Sequence, residues 1–305
     1  MDEDQIRLAA FQWLQEQTRI HGEVLHRSIL EKGFYHNGER VTVIGPAGIW
    51  KPRVFSAIPL SITTVTDGPY DDSFTSDGFL SYAYRGTDPQ HRDNVGLRKA
   101  MARQTPLIYF HSVVKGRYLA VWPVFIINDA PQSLSFTVAA DDQESLVRGE
   151  LFCRDGAELL SDSSTIAKRS YITSIVRRRL HQKSFRERVL EAYSRQCALC
   201  HLRHAELLDA AHIIPDRDST GDPVVQNGIS LCKIHHAAFD SNIIGITPEY
   251  KVAIREDILV EIDGPMLRYG IQELHGQRVL LPRRRHLWPD RERIEERYRV
   301  FGDAG

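Results

Sequence analysis

The sequence predicts an α+β chain in two domains. N-terminal helices and a β-rich curved sheet or small barrel come first, and a domain organised around a bound zinc ion comes second. Three observations carry this. Apolar residues recur at three- and four-residue steps near the N-terminus, short β-branched and aromatic runs fill the middle, and two metal-ligand pairs stand in the C-terminal third. A length of 305 residues suits two domains. With 42% hydrophobic and 26% charged residues, the composition is that of an ordinary soluble protein. The net charge of −1 means that any nucleic-acid surface must arise from local segregation of charge.

From Asp4 to about Lys32, Ile6, Ala9, Ala10, Trp13 and Leu14, then Val24, Leu25, Ile29 and Leu30, keep helical spacing in two pieces interrupted near His21-Gly22. So short a pair has little core of its own and is expected to pack on the β-rich region. Between Glu39 and about Val138, strands are expected at Val41–Ile44, Ser61–Val65, Phe79–Tyr84, Leu107–Phe110 and Tyr118–Ile127. Glycine, proline and aspartate punctuate them, and one helix is expected around Leu97 to Arg103.

From Asp155 to Thr165 the chain turns polar, with Ser161–Ser164 as a linker. A strongly basic stretch comes next: Lys168, Arg169, Arg177, Arg178, Arg179, His181, Lys183, Arg186 and Arg188. Ile175, Val176, Leu180, Phe185, Val189, Leu190 and Tyr193 fit one or two helices through it.

Beyond it stand Cys197-Ala-Leu-Cys200 and, later, Cys232-Lys-Ile-His235. A Cys-x2-Cys and a Cys-x2-His pair each let one turn aim two ligands at one ion, so these four residues complete a tetrahedral zinc shell. The fourth cysteine, Cys153, is left as a buried thiol. Such cysteine usage fits a reducing compartment. The acidic N-terminus is no signal peptide, and no apolar run approaches the ~18 residues a membrane span needs. A cytoplasmic protein without membrane contact is expected. Past the ligands, Val252–Ile254 and Leu259–Ile262 read as short strands, Arg283–Arg285 is a second basic knot near Trp288, and Asp290 to Phe301 is a charged terminal helix.

Between and after the ligand pairs stand Asp209-Ala-Ala-His212-Ile-Ile-Pro215, then Asn227, then His236 directly after the last zinc ligand, closing with Phe239-Asp240. The order of zinc spacing, histidine, asparagine and histidine resembles the HNH endonucleases. That resemblance implies a two-stranded hairpin and a helix around one catalytic metal, the ββα-metal fold. It makes His212 the general base, Asn227 the brace that orients it, and His236 a ligand of a catalytic magnesium or manganese ion, with Asp240 one helical turn beyond as its partner. Many members carry an acidic residue or histidine immediately before the base, where this chain has Ala211. Strand alternation puts Asp209 on the face of Ala211. There it can ligate the metal directly, ligate it through water, or cap the turn.

A second, more diffuse resemblance covers the middle of the chain. Gly48-Ile-Trp-Lys-Pro52, Gly68-Pro-Tyr-Asp-Asp72, Asp77-Gly78, Tyr84-Arg-Gly86 and Asn94 followed by Leu97 look like the pattern of SET- and RING-associated (SRA) domains, the base-flipping readers of modified cytosine. It implies an SRA/PUA-like barrel with a pocket drawn from Tyr70, Asp71, Asp72 and Tyr84. The loop after Gly86 lacks the family's second glycine.

Together the two resemblances imply a modification-dependent restriction endonuclease. Residues 1–150 would hold the helices and the reader, 151–190 a basic linker or helix, and 191–305 the nuclease. Its substrate would be double-stranded DNA carrying 5-methylcytosine or 5-hydroxymethylcytosine. Arg177, Arg178, Arg179 and Lys183 would face phosphates. One such site cuts one strand, so double-strand breakage implies a dimer or two independent encounters, and a homodimer, the commoner solution, is expected. The competing expectations are a non-catalytic zinc module that only reads DNA, and an HNH nuclease specific for structure or RNA.

Overall fold

The computed structural model describes residues 2–64, 78–142, 163–218 and 220–303. Tyr70, Asp71, Asp72, Cys153 and most of the polar segment from Asp155 to Thr165 lie outside them. The chain divides into two compact units, Met1–Leu180 and His181–Gly305.

The first unit opens with α1 (Glu3–His21), capped by Asp2, whose carboxylate accepts from the Asp4 N–H, and ended by Gly22 at φ 81°. The second helical piece expected from the spacing is a three-residue strand β1 (Val24–His26) followed by α2 (Arg27–Lys32). Pairing with a long strand of the sheet overrides the local helical spacing there: Val24 stands opposite Leu119. A hairpin, β2 (Phe34–His36) with β3 (Glu39–Val41), leads into β4 (Ile49–Trp50), β5 (Ser61–Thr64), β6 (Leu80–Ala83) and α3 (Arg92–Ala102). Three long strands complete the unit: β7 (Leu107–Val114), β8 (Arg117–Ala130) and β9 (Ser135–Ala140).

The main sheet runs β4-β5-β7-β8-β9-β6, with β1 on β8 and β5 parallel to β7. Alternation along β7 sends Ile108 and Phe110 to one core, with Ile6, Ala10 and Leu14 of α1, and Leu107 and Tyr109 to the other, with Leu97 and Ala100 of α3. The sheet curls: the Tyr82 hydroxyl on the outermost strand β6 donates to the Thr63 carbonyl of β5 at 3.4 Å.

The one or two helices expected through the basic stretch are a single 30-residue helix, α4 (Ser163–Ala192), which takes in Ser163 and Ser164 of the expected linker, and the division between the units falls within it. Ile172, Val176 and Leu180 pack in the first unit, and Phe185, Val189 and Leu190 belong to the core of the second.

The second unit is built on a hairpin, β10 (Leu208–His212) against β11 (Gly228–Cys232), in register from Leu208 opposite Cys232 to His212 opposite Gly228. Helix α5 (Lys233–Asp240) comes directly after, making a ββα unit. Gly228 is required by packing: a Cβ there would lie 2.5 Å from Val189 and 2.8 Å from Phe185 of α4. A second hairpin joins β12 (Ile244–Ile246) to β13 (Val252–Ile254). The strand expected at Leu259–Ile262 is not formed. The chain makes α6 (Glu256–Val260) instead, because Glu256 and Asp257 favour the helix N-terminus and Ile262 finds no cover, standing 98% exposed. After α7 (Pro265–Gly270) comes the terminal helix α8 (Arg291–Gly302), capped by Asp290. It docks through Phe301 on Gly245, where a Cβ would come within 2.6 Å of the ring. Among the described residues, no helix is long and apolar enough to cross a membrane.

Candidate active site and zinc site

The four zinc candidates converge. The donor atoms of Cys197, Cys200, Cys232 and His235 all lie within 4.8 Å of one another. The turn at Cys197 closes as His201 N–H donates to the Cys197 carbonyl (3.0 Å), and Ala198 N–H donates to Ser230 O (2.7 Å). That second bond sets the first pair beside the end of β11, which carries Cys232. The Cys197 and Cys232 sulfurs stand 3.4 and 3.3 Å from His235 Nδ1, and Cys200 and Cys232 Sγ are 4.0 Å apart. Ligands at ~2.0–2.3 Å from one tetrahedral ion are separated by about 3.5–3.8 Å, so the cluster fits zinc. His235 Nε2 lies 2.8 Å from the Gly270 carbonyl, so it carries the proton and leaves the Nδ1 lone pair for the metal. Contacts with Cys197 and Cys200 push the Cys232 thiol down, and contacts with Cys197 and Cys232 push the Cys200 thiol up, so these sulfurs titrate together.

On the other side of the hairpin stand the remaining histidines. His212 ends β10, its ring stacked on Phe185 at 4.0 Å between centroids, and its Nε2 is buried without a hydrogen-bond partner. Burial, countered in part by Asp216, lowers its pKa and favours the neutral imidazole, the form that can accept a proton. Asn227 is fully buried. Its Oδ1 accepts from Ile214 N–H (2.9 Å), and its Nδ2 donates to the carbonyls of Ile214 (3.0 Å) and Asp222 (3.1 Å). These bonds fix the loop that leaves His212.

His236 lies between two carboxylates. Its Nδ1 is 3.5 Å from Asp209 and its Nε2 is 3.3 Å from Asp240. The hydrogen bond to Asp209 raises the His236 pKa, outweighing burial. Burial works against ionisation of Asp209, but its bonds to His236 and to Ala210 N–H prevail and lower its pKa. His212, His236 and Asp240 share a cleft of about 600 Å³ with Asp216, Arg217, Asn242, Glu296 and Arg297, and Asp209 lies outside its lining. Arg297 comes from α8, donates to Asn242 Oδ1 and Phe239 O, and packs its guanidinium over the Phe239 ring. Sequence spacing gives no signal for it, because it reaches the cleft from nearly sixty positions away.

Residues 197–247 match the family model of HNH endonucleases. The second unit contains an HNH endonuclease domain, and the chain is a metal-dependent nuclease. No curated protein matches the chain. Among solved structures, the chain is similar to a "Modification dependent TagI restriction endonuclease", at 16% identity and a TM-score of 0.28, over 80% of this chain and 81% of that one. It is also similar to the "Type IV phosphorothioation-dependent restriction endonuclease ScoMcrA", at 16% identity and a TM-score of 0.19, over 59% and 46%.

The basic stretch of α4 is largely committed to internal partners. Arg169 is buried on Asp141 and Gln104, Arg186 binds Glu187 and the Leu208 carbonyl, and Arg188 donates to Pro223 O. Of the four expected phosphate contacts, Arg178 and Arg179 are exposed, Arg179 is paired with Glu23 at 2.9 Å, and Arg177 and Lys183 are half-buried. Tyr84 is also placed differently from an open stacking face. It is 1% exposed, packs on Phe136 at 4.5 Å, and donates its hydroxyl to Asp129, which Arg98 holds at 2.7 Å. Asn94 is buried and binds Arg85 N–H and the carbonyls of Arg85 and Asp88, fixing the loop after Tyr84. Beside that loop, Trp50, Lys51, Arg53, Arg85, Arg92 and Lys99 line a cleft of about 650 Å³, with Asp93 the acid among its lining residues.

Proposed function

We propose that the chain is a modification-dependent DNA endonuclease, type IV-like in restriction, with an SRA-like reader in the first unit and the HNH domain as its cutter. The observation that carries the cutting half is the shared cleft of His212, His236 and Asp240 beside an intact zinc cluster. His212, neutral and fixed by the Asn227-braced loop, takes a proton from the attacking water as general base. Cys197, Cys200, Cys232 and His235 would hold a structural zinc, and His236 and Asp240 would hold a catalytic magnesium or manganese. An imidazole and a carboxylate 3.3 Å apart on an open cleft fit a hard divalent cation that keeps its other positions for water and phosphate. When bound, such a cation relieves charge on the phosphate and on the leaving oxygen.

Of the roles open to Asp209, the two nitrogens of His236 favour one. Asp209 faces Nδ1 while the cleft and Asp240 face Nε2, so Asp209 orients the ring as a carboxylate behind a histidine ligand. Asp209→Ala is expected to raise the metal concentration for half-maximal cleavage ~10–100-fold. The rate at saturating metal should change less, which a metal titration of cleavage checks. Protons compete with the cation at His236, whose pKa is raised, so the metal requirement should also increase as pH falls.

Support for the reader comes from the SRA-like motif order, the curled sheet and the basic cleft along the Trp50 and Arg85 side. In this reading Tyr70 stacks on an extruded 5-methylcytosine or 5-hydroxymethylcytosine and Asp71 or Asp72 accepts from its exocyclic amine. Tyr84, bound to Asp129, walls the pocket rather than stacking in it. Burying a methyl group gains about 1 kcal/mol, so the preference for methylated over plain cytosine should be about fivefold. Binding of duplexes differing in one cytosine modification tests this. Equal affinities in the wild type and in Asp71→Ala and Asp72→Ala would end the reader assignment and leave a nuclease of other specificity. A cytoplasmic location is part of this proposal, supported by cysteines that suit metal binding rather than disulfides. Cutting both strands calls for a homodimer, because each site has one set of these residues.

A further inference from the structure

The segment between α7 and α8 carries Arg283, Arg284, Arg285 and His286, all exposed. It is a fixed feature rather than a loose tail. Trp288 Nε1 donates to Pro282 O at 2.7 Å, Tyr250 OH donates to Pro289 O at 3.0 Å, and the two rings meet edge to face at 5.9 Å. The turn itself closes as Leu287 N–H donates to Arg284 O and Trp288 N–H to Arg285 O, and the Arg285 guanidinium lies over the Trp288 ring.

Two features set these arginines apart. First, the three are consecutive and exposed, and among the described residues none of them has a carboxylate within 4.0 Å. Three uncompensated guanidiniums on one turn repel one another, and an external anion relieves that repulsion. Second, the turn is tied to the active-site loop at both ends of one residue. Gln226 donates from Nε2 to His286 O (2.8 Å) and accepts at its carbonyl from Asp290 N–H (2.9 Å), and Gln226 directly precedes Asn227. Asp290 then caps α8, whose Glu296 and Arg297 line the cleft. From Arg291 to Glu296 the helix advances about 8 Å, a span of two to three nucleotides along a DNA strand.

We propose that the Arg283–His286 turn is a phosphate clamp of the HNH domain, gripping the backbone of duplex DNA a few nucleotides from the scissile bond without reading its sequence. Resting on the nuclease assignment, it names the surface that holds the substrate over the cleft. Guanidiniums suit the task because each presents a planar fork that matches two phosphate oxygens.

The test uses the full chain with zinc retained. The triple variant Arg283→Gln, Arg284→Gln, Arg285→Gln is compared with wild type for duplex binding over a range of salt. Each phosphate contact contributes about 0.9 to the slope of log affinity against log salt, so the slope should fall by about 2–3. Affinity should fall equally for modified and unmodified duplexes, while the cleavage rate at saturating DNA is kept. Arg268→Gln and Arg299→Gln, exposed arginines with carboxylate partners, serve as controls and should leave the slope unchanged. Single Arg284→Gln, expected to lower the slope by about 1, covers the case of a triple variant with an altered melting curve. A wild-type slope in the triple or, failing that, the single variant, with wild-type cleavage intact, would overturn the clamp and leave the nuclease standing. A wild type that neither binds nor cuts any duplex would overturn both. Weakening confined to modified DNA would also contradict the clamp.

Discussion

Replacing His212 by alanine is expected to lower DNA cleavage by at least the ~10²–10⁴-fold attributed to a positioned general base. Zinc content and duplex binding should stay at wild-type levels. The side chain touches neither the cysteine cluster nor the bonds of Asn227, and its ring is held by stacking on Phe185 and by the end of β10. Burial keeps the imidazole neutral at pH 7, with Asp216 and Asp240 limiting the shift. The acid limb of the wild-type pH–rate profile should therefore lie below the ordinary histidine value of ~6.5. The same sign applies to stability: a histidine whose folded pKa is depressed stabilises the fold above its unfolded pKa and loses that contribution as pH falls. The pH–rate profile of Asp216→Asn should move further to the acid side, since that substitution removes a carboxylate that holds the pKa up. Wild-type rates in His212→Ala would remove the base from the mechanism.

Removing zinc should have the larger effect on the fold. Apparent binding free energies of structural zinc run to about 10–16 kcal/mol near neutral pH, comparable to the whole stability of a domain. The cluster joins the turn at Cys197 to the junction of β11 and α5, and His235 ties it through Gly270 to α7. Cys232→Ser, or prolonged chelation, should release about one zinc per chain and melt the HNH domain. The sheet core of the first unit has its own buried residues and should melt separately. Elemental analysis and a two-transition melting curve check this. A Cys232→Ser protein that keeps its zinc and its melting curve would overturn the ligand set.

How much of the site is legible in the sequence depends on how locally each feature is determined. Zinc ligands come in pairs held by single turns, and His212, Asn227 and His236 stand at the end of a strand, the start of the next and the first turn of a helix. Their spacing survives as sequence pattern. The side of His236 that faces Asp209 depends on a rotamer and on the packing of α5 against β10, which spacing does not encode. Arg297 and Glu296 enter the cleft only because Phe301 seats α8 on Gly245. The basic run on α4 reads as a phosphate surface until tertiary contacts are known. Glu187, buried between Arg186 and Arg195, and backbone carbonyls absorb much of its charge. Conversely, the knot at Arg283–Arg285 shows no role in the sequence, and only its ties to Gln226 place it beside the active-site loop. Misplaced elements have similar causes. Val24–His26 is a strand because β8 offers it a ladder, and Leu259 and Val260 belong to the short helix that Glu256 and Asp257 start.

The most direct test of a metal-dependent, modification-dependent nuclease is digestion of matched plasmids, one unmodified and one cytosine-methylated, by wild type and His212→Ala. Each is run with magnesium, with manganese and with chelator. The expected result is cutting of the methylated plasmid by wild type with either metal, slower cutting of the unmodified one, and none by His212→Ala or in chelator. Equal cutting of both plasmids would contradict the modified-cytosine preference, and cutting by His212→Ala or without metal would contradict a site built on His212 and a cation at His236.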